Sequence, residues 1–127
     1  MIAISARGKS PEDQVDQRLG RCEYFVFYDP GTGEFTGLEN PFRLESSGAG
    51  INTAQFLAEK NVGTILTGNV GPKALQVLQT AGIKVYTSST GRVRDALQAY
   101  QQGQLSPAST PTVPGSHGKR PGRQRGV

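Results

Sequence analysis

The sequence has 127 residues, enough for one folded domain with its own core and too few for two. Its formal charge of +4 misleads, because four of the 14 Lys and Arg residues lie between Lys119 and Arg125 and leave ten basic against ten acidic residues before them. One cysteine excludes an internal disulfide framework, and one histidine excludes a closed structural zinc site within the chain. No apolar stretch could span a membrane or form a signal-peptide core, so we expect a cytoplasmic protein.

Short apolar and β-branched runs predict five strands, at residues 2–5, 24–28, 35–40, 64–67 and 83–87. The turn at residues 29–33 makes the second and third strands a hairpin. Helical spacing of apolar residues predicts three helices, which end near Asn61, Gly82 and Gly103. The apolar stripe of the second helix is predicted from Ala74, Val77, Leu78 and Ala81. Beyond residue 105 the composition becomes rich in Ser, Pro, Gly, Lys and Arg, so we predict a domain at 1–105 and a disordered basic tail at 106–127.

The predicted order β, β, β, α, β, α, β, α indicates an α/β fold, because helices that connect successive strands impose parallel pairing. The hairpin makes the second strand antiparallel to its neighbours, so the sheet is mixed. Three polar, glycine-bearing loops then leave the same edge of the sheet, at residues 7–21, 45–50 and 68–71. Ligands of open α/β sheets bind beyond the carboxyl ends of the strands, which is where these loops are expected to meet.

The turn after the fourth predicted strand has the features of an anion site. Gly68, Asn69 and Gly71 allow a tight bend, Pro72 suits a first helical position, and Lys73 follows in the first turn. Free N–H groups at a helix start attract negative charge. The same residues also fit a strand-to-helix turn that binds no ligand.

Five stretches, in order along residues 1–105, carry a family resemblance: 15–25 (VDQRLGRCEYF), 47–50 (SGAG), 62–72 (VGTILTGNVGP), 82–86 (GIKVY) and 93–105, which begins VRDALQAY. The chain resembles the dinitrogenase iron-molybdenum cofactor biosynthesis family. This resemblance implies a ribonuclease-H-like, three-layer α/β/α fold with a five-stranded mixed sheet. It also implies that the chain binds or carries a metal–sulfur cluster, either the iron-molybdenum cofactor, its precursor or a molybdenum–copper sulfide cluster.

The chain departs from the family pattern at two positions. Leu19 stands where many relatives carry Phe, which is a conservative change. Ser47 stands where many carry His, which removes an obvious metal ligand and weakens any role of this loop in direct coordination. An anionic sulfide core can nevertheless be held by N–H groups and cations without covalent ligation.

The predicted cofactor-binding residues lie in the three loops and the helix starts that follow them: Arg7, Arg18, Gly20, Arg21, Cys22, Ser47, Gly48, Ala49, Gly50, Asn52, Gly68, Asn69, Gly71 and Lys73. Lys9 is expected near the same edge. Glu12, Asp13 and Asp16 share the first loop and would oppose an anion unless they pair with cations or face away.

Several of these residues have a simpler interpretation. Arg18 and Arg21 can pair with Asp16 or Glu23 as surface ions. Cys22 follows Arg21, whose charge could lower the thiol pKa and favour a metal-binding thiolate, or it can be a small buried apolar residue. His117 can reach a metal only if the tail folds over the site, and a solvated histidine is the alternative.

No nucleophile with its base, paired acids or metal triad is evident, so we predict a monomeric carrier that exchanges its cargo with donor or acceptor proteins, and not an enzyme. A nuclease would need carboxylates on its central strands, and residues 2–5 and 64–67 contain none. Two alternatives remain. One is a nucleic-acid-interacting module that uses the basic tail, and the other is a phosphate- or nucleotide-binding module that uses the Gly68 turn without a full Walker motif.

Overall fold

A computed structural model describes residues 1–45 and 47–111. Its elements follow the predicted order: β1 Ile2–Ala6, β2 Tyr24–Asp29, β3 Glu34–Glu39, α1 Ala49–Glu59, β4 Thr64–Leu66, α2 Pro72–Thr80, β5 Lys84–Tyr86 and α3 Val93–Gln101. The chain turns with a positive φ at Asn61, Gly82 and Gly103, just beyond the three helices. These residues are the helix ends that the sequence predicts.

The five strands form one sheet in the order β3-β2-β1-β4-β5. β2 is antiparallel to both of its neighbours, whereas β4 is parallel to β1 and to β5. The predicted mixed sheet with an antiparallel second strand is therefore confirmed. The reversal is fixed locally, because the Asp29 carbonyl accepts hydrogen bonds from the N–H groups of Thr32 and Gly33 at 3.3 and 2.7 Å.

The helices lie on both faces of the sheet and make three layers. On one face α1 and α2 pack against alternate strand residues, in a cluster that includes Phe25, Phe27, Leu57, Ile65, Leu78 and Val85. On the other face α3 packs in a cluster that includes Ile4, Val26, Leu66, Val93 and Leu97. The finer ribonuclease-H-like assignment stays a prediction.

The buried face of α2 differs from its predicted stripe. Leu75 is buried beside Ala74 and Leu78, while Val77 is only half-buried and Ala81 lies exposed beyond the helix end. The stripe is partly wrong because α2 contacts both α1 and β5, and its buried face is therefore shifted towards Leu75.

The ordered chain extends past the predicted boundary at residue 105. Pro107 forms an antiparallel bridge with Tyr86, and the Ala108 N–H donates to the Val85 carbonyl at 2.7 Å. Ala108 is half-buried against the core, which supplies the apolar contact that composition alone does not reveal. Expectations for residues 112–127, including His117 and the basic cluster, lie outside the described residues. No helix in the described part of the chain is long and apolar enough to cross a membrane.

Candidate anion-binding site

The three polar loops meet at one edge of the sheet, as predicted. We call this edge the rim and define it by residues 15–22, 47–52 and 67–73. The Asn69 N–H donates to the Gln17 carbonyl at 2.8 Å, which joins the first loop to the turn after β4. A Cβ atom on Gly20 would lie 2.9 Å from Gly50 Cα, so the same loop also packs directly on the start of α1.

Two glycines make this convergence possible. Gly20 is needed because any side chain would collide with the backbone of α1. Gly68 is needed because a Cβ atom there would lie 2.7 Å from Gln17 Cα. The rim is therefore assembled by close backbone contacts, which place main-chain groups at its surface.

Two helix starts lie open side by side at the rim. Neither α1 nor α2 has a side-chain cap. The backbone ladder of α1 begins with the bond from the Asn52 N–H to the Gly48 carbonyl at 2.9 Å, and that of α2 with the bond from the Leu75 N–H to the Gly71 carbonyl at 3.0 Å, so the first-turn N–H groups before them lie at the helix ends. A Cβ atom on Gly50 would lie 3.6 Å from Ala74 Cβ, so the first turns of the two helices are in contact. Adjacent unpaired N–H groups and two helix dipoles favour an anion here.

The start of α3, at the same edge, is closed by the chain itself. The N–H groups of Val93 and Arg94 donate to the carbonyls of Asp13 and Pro11 at 2.8 and 2.9 Å. The Asp95 carboxylate accepts from the Arg92 N–H at 3.1 Å, and this bond lowers the pKa of Asp95. Of the three helix starts, those of α1 and α2 are thus the two that can receive a ligand.

Arg18 is the best-positioned cation of the first loop. Its Nε and Nη2 atoms each lie 3.1 Å from an oxygen of Asp16, and these bonds raise the pKa of Arg18. The Asp16 side chain is only 2% exposed, whereas that of Arg18 is 63% exposed. The interpretation of Arg18 as an ion-pair partner of Asp16 is therefore correct, and its guanidinium still faces solvent.

Arg21 has a different partner from the one expected. Its Nη1 donates to the Arg43 carbonyl at 3.0 Å and also to the Glu45 carbonyl. Among the described residues it forms no ion pair with Asp16 or Glu23, so that prediction is wrong. Arg21 instead holds the loop between β3 and α1 against the first loop.

Lys73 and Arg7 are exposed cations of the predicted site, and neither forms an ion pair with a described residue. Lys73 lies in the first turn of α2, and no carboxylate of the described residues pairs with it. Arg7 follows β1 directly, and its N–H donates to the Gln14 carbonyl at 2.9 Å. The structure brings Lys73 to the open helix starts, and it shows no contact between Arg7 and them.

The acidic residues of the first loop do not fill the rim. Glu12 pairs with Arg92 at 3.0 Å and also with Arg94, at the start of α3. Asp13 accepts from the Ser10 N–H at 2.9 Å. The condition that these acids pair with cations is met for Glu12 and Asp16, whereas Asp13 bonds to the backbone of its own loop.

Asn52 is less available than predicted, because its Nδ2 donates to Glu45 Oε1 at 2.7 Å. Ser47 and Gly48 are exposed, and Gly48 has a φ of 77° just before α1. Ala49, the first residue of that helix, is buried. The serine and glycines thus shape the entrance to α1 without capping it.

The structure decides between the two interpretations of Cys22 and locates Lys9. Cys22 is fully buried, and burial raises the pKa of its thiol to about 12, with the charge of Asp16 acting in the same direction. The thiol is therefore protonated at neutral pH, and the structure supports the interpretation of Cys22 as a small buried residue. Lys9 packs against Gly37, and its Nζ lies 5.8 Å from the ring centroid of Tyr24, a residue that pairs with Ala6 at the end of β1. Lys9 therefore lies near the predicted edge, on the β2 and β3 side of the sheet. The described residues contain no group of three potential metal ligands.

Buried polar residues beneath the rim are missing from the sequence-based predictions. Asn40 Nδ2 donates to the carbonyls of Gly20 and Cys22 at 3.2 and 3.1 Å, and its Oδ1 accepts from Thr53 Oγ1 at 3.3 Å. Ser5 Oγ donates to the Asp16 carbonyl at 2.7 Å and shares a second hydrogen bond of 2.7 Å with Thr67 Oγ1. These residues fix the loops from below. Asn40, Ser5 and Thr67 lie at or next to strand ends beside the loops, and this position is the feature of the sequence that could have identified them.

The fold and the rim together define a small α/β protein with an edge suited to an anionic ligand. A model of the dinitrogenase iron-molybdenum cofactor family matches residues 1–103, and the chain belongs to this family. The resemblance seen in its sequence motifs is therefore confirmed, and the role of the protein is cofactor-related.

Known proteins of this kind share both sequence and architecture with the chain. The apo form of the orange protein from Desulfovibrio gigas is 44% identical, with a TM-score of 0.84 over 87% of this chain and 94% of that one. A Thermotoga protein with a provisional NifB assignment is 35% identical, with a TM-score of 0.77 over 87% and 95% of the two chains. An uncharacterised protein of Methanocaldococcus jannaschii is 30% identical over 96 residues, which cover 73% of this chain and 81% of that protein.

Proposed function

We propose that this protein binds an anionic metal–sulfur cluster at the rim and carries it to other proteins, without catalysing a reaction. The observation that carries the proposal is the pair of open helix starts, whose first turns touch at Gly50 and Ala74. The exposed side chains of Arg18 and Lys73 add positive charge beside the unpaired N–H groups.

The strength of such a site suits a carrier. A metal–sulfide core spreads its negative charge over several sulfur atoms, each of which can accept from an N–H group or a cation. Hydrogen bonds to a charged group contribute about 1.5 to 3 kcal/mol each. A few of them together hold a cluster and still allow its release, whereas thiolate ligation would bind it more permanently.

The cargo we propose is the iron-molybdenum cofactor, its precursor or a molybdenum–copper sulfide cluster. Family membership supports the first two, and the 44% identity with the orange protein supports a cluster protein more generally. We further propose a cytoplasmic monomer of ribonuclease-H-like fold that acts in cofactor biosynthesis for nitrogen fixation. Its partners would be cluster donor or acceptor proteins.

The test is anaerobic addition of tetrathiomolybdate with Cu(I) to the full chain, followed by optical spectra and amide NMR shifts. We expect new absorption bands and shifts centred on residues 48–52 and 68–74. At low salt, Lys73→Glu should weaken binding about tenfold, the effect of a lost charge contact of roughly 1.4 kcal/mol.

Lys84→Glu is the matched control, because Lys84 is an exposed lysine at the opposite end of the sheet. It makes the same change in net charge and should leave binding unchanged. Shifts centred on the hairpin turn at residues 29–33, or equal losses for both variants, would contradict the proposed site.

A phosphate- or nucleotide-binding module is the second candidate, because the open start of α2 at Gly71 suits any compact anion. Thermal stabilisation of the chain by nucleotides and not by thiomolybdate would favour this function.

A further inference from the structure

One edge strand of the sheet is covered by another segment of the chain, and the other edge strand is not covered by any described residue. At the β5 edge, Pro107 bridges Tyr86 and the Ala108 N–H donates to Val85, so that edge is covered. The β3 edge has no such cover among the described residues, because β3 pairs only with β2. β3 contains no proline, and its six-residue register with β2 has no bulge. An open, regular edge is a template for another strand.

The main-chain groups that face outwards from β3 can be assigned. The Asn40 N–H donates to the Glu23 carbonyl of the neighbouring chain segment at 2.9 Å. Because hydrogen-bonding directions alternate along an antiparallel ladder, residues 34, 36 and 38 face β2, and residues 35, 37 and 39 face outwards. No described residue outside the sheet bonds to the N–H or C=O groups of these three residues.

A groove runs beside this edge on the face that carries α1. It has a volume of about 190 Å³ and is lined by Met1, Phe27, Thr36 and Leu38, with the charged residues Asp29, Glu34 and Lys60 also on its wall. Met1 is 46% exposed, and Phe35 and Leu38 are each 37% exposed. They are three of the four large apolar residues that are exposed in the described part of the chain, so apolar surface is concentrated at this edge.

We propose that the β3 edge binds an extended segment of a partner protein as a sixth strand, with basic residues towards the ends of the segment and an apolar residue that enters the groove. The outward N–H and C=O groups supply the strand pairing. Glu34 and Glu39 are exposed at the two ends of β3, and neither forms an ion pair with a described residue, so they select Lys or Arg.

A second copy of the chain is the alternative occupant, and the test below distinguishes it. Two β3 strands can pair antiparallel only through their outward residues, for example with residue 37 opposite residue 37 and residue 35 opposite residue 39, and this register does not set Glu34 against Glu39. The exposed Glu34 and Glu39 favour a segment that carries basic residues.

The bound segment would end close to the rim. β3 runs towards that edge, and the loop after Glu39 leads to the segment held by Arg21 and then to α1. A partner bound at β3 would thus have one end beside the anion-binding site. The inference does not depend on what the rim binds.

The test uses the full chain and a capped hexapeptide of sequence Lys-Val-Thr-Ile-Thr-Arg, followed by amide NMR shifts. We expect the largest shifts at residues 35, 37 and 39. A peptide with Glu at both ends should bind about tenfold more weakly at low salt, as expected for two cross-strand charge pairs. Phe35→Pro removes one outward N–H and should abolish binding, whereas the matched control Phe35→Ala keeps this N–H and should retain the shifts.

A double variant, Glu34→Lys with Glu39→Lys, gives a second readout if Phe35→Pro does not fold, because it should reverse the preference between the two peptides. Equal binding of both peptides by the native chain, or no shifts at β3, would overturn the proposal. Self-association through β3 in the absence of peptide would also overturn it, because the occupant would then be a second copy.

Discussion

Asp16 and Arg18 show how a single residue pair shapes the charge of the rim. The buried carboxylate holds the exposed guanidinium by two contacts of 3.1 Å, so Arg18 keeps one orientation. The charge of Asp16 also offsets much of the charge of Arg18. Lys73, which has no carboxylate partner among the described residues, therefore carries the least compensated positive charge at the open helix starts.

Cys22 leads to a pH-dependent prediction. Burial raises its pKa to about 12, while an exposed thiol in the unfolded chain titrates near 8.5. Below pH ~8.5 both states keep the proton, and above it the unfolded state releases the proton first, so the free energy of unfolding falls by up to about 1.4 kcal/mol per pH unit. Urea unfolding between pH 8 and roughly pH 10 measures this slope.

Cys22→Ala should show a shallower fall of stability with pH, because the raised pKa is then absent. Lysine and tyrosine titrations affect both proteins equally, so the difference between the two slopes isolates the thiol. Identical slopes would show that Cys22 ionises as easily in the folded protein as in the unfolded one.

At the scale of elements, the contact between the first loop and α1 depends on Gly20. A methyl group on Gly20 would meet Gly50 Cα at 2.9 Å and Gly50 N at 3.1 Å. Since backbone atoms cannot move aside, Gly20→Ala should destabilise the fold by about 1 to 3 kcal/mol. Guanidinium unfolding midpoints measure this loss.

Gly63→Ala is the control for this substitution. Gly63 has nothing within 4 Å of its Cβ position and no positive φ, so its replacement should change stability by less than about 0.5 kcal/mol. If both variants unfold at the same denaturant concentration, the first loop does not pack tightly on α1 in solution.

Local patterns predicted the elements well, because helices and strands are specified within a few neighbouring residues. The helix ends at Asn61, Gly82 and Gly103 follow from turn chemistry that needs no tertiary information. The meeting of the loops follows from strand direction alone. The element order and the edge of the site were therefore accessible from the sequence.

Other features depended on contacts distant in the sequence. Asn40 looks like a strand end, and only the folded chain shows that it joins Gly20 and Cys22 to Thr53 of α1. Only the folded chain decides between the two interpretations of Cys22, because its burial raises the pKa of the thiol where the charge of Arg21 alone would lower it. Likewise, Glu12 is removed from the rim by Arg92, which lies 80 residues away along the chain.

At the scale of the whole molecule, the segment that covers β5 is expected to stabilise the domain. A chain of residues 1–105 lacks the bridge at Pro107 and the 2.7 Å hydrogen bond from Ala108 to Val85. It should be less stable than a chain of residues 1–111 by about 1 to 2 kcal/mol, from one hydrogen bond and a small apolar contact. Thermal and chemical unfolding of the two chains provide the measurement.

The same two chains can also be compared for self-association. An uncovered β5 edge invites strand pairing between molecules, so the shorter chain should self-associate more strongly in sedimentation experiments. Equal stability and equal monomer content in both chains would mean that the segment after residue 105 contributes nothing to the domain.

The closed start of α3 and the open starts of α1 and α2 give the two faces of the sheet different electrostatic potentials. A polyanion that diffuses towards the molecule is drawn to one side before any contact forms, because unscreened dipoles and Lys73 act over several ångströms. Capture would then be pre-oriented and fast at low ionic strength, and it would slow as salt shortens the range of the field.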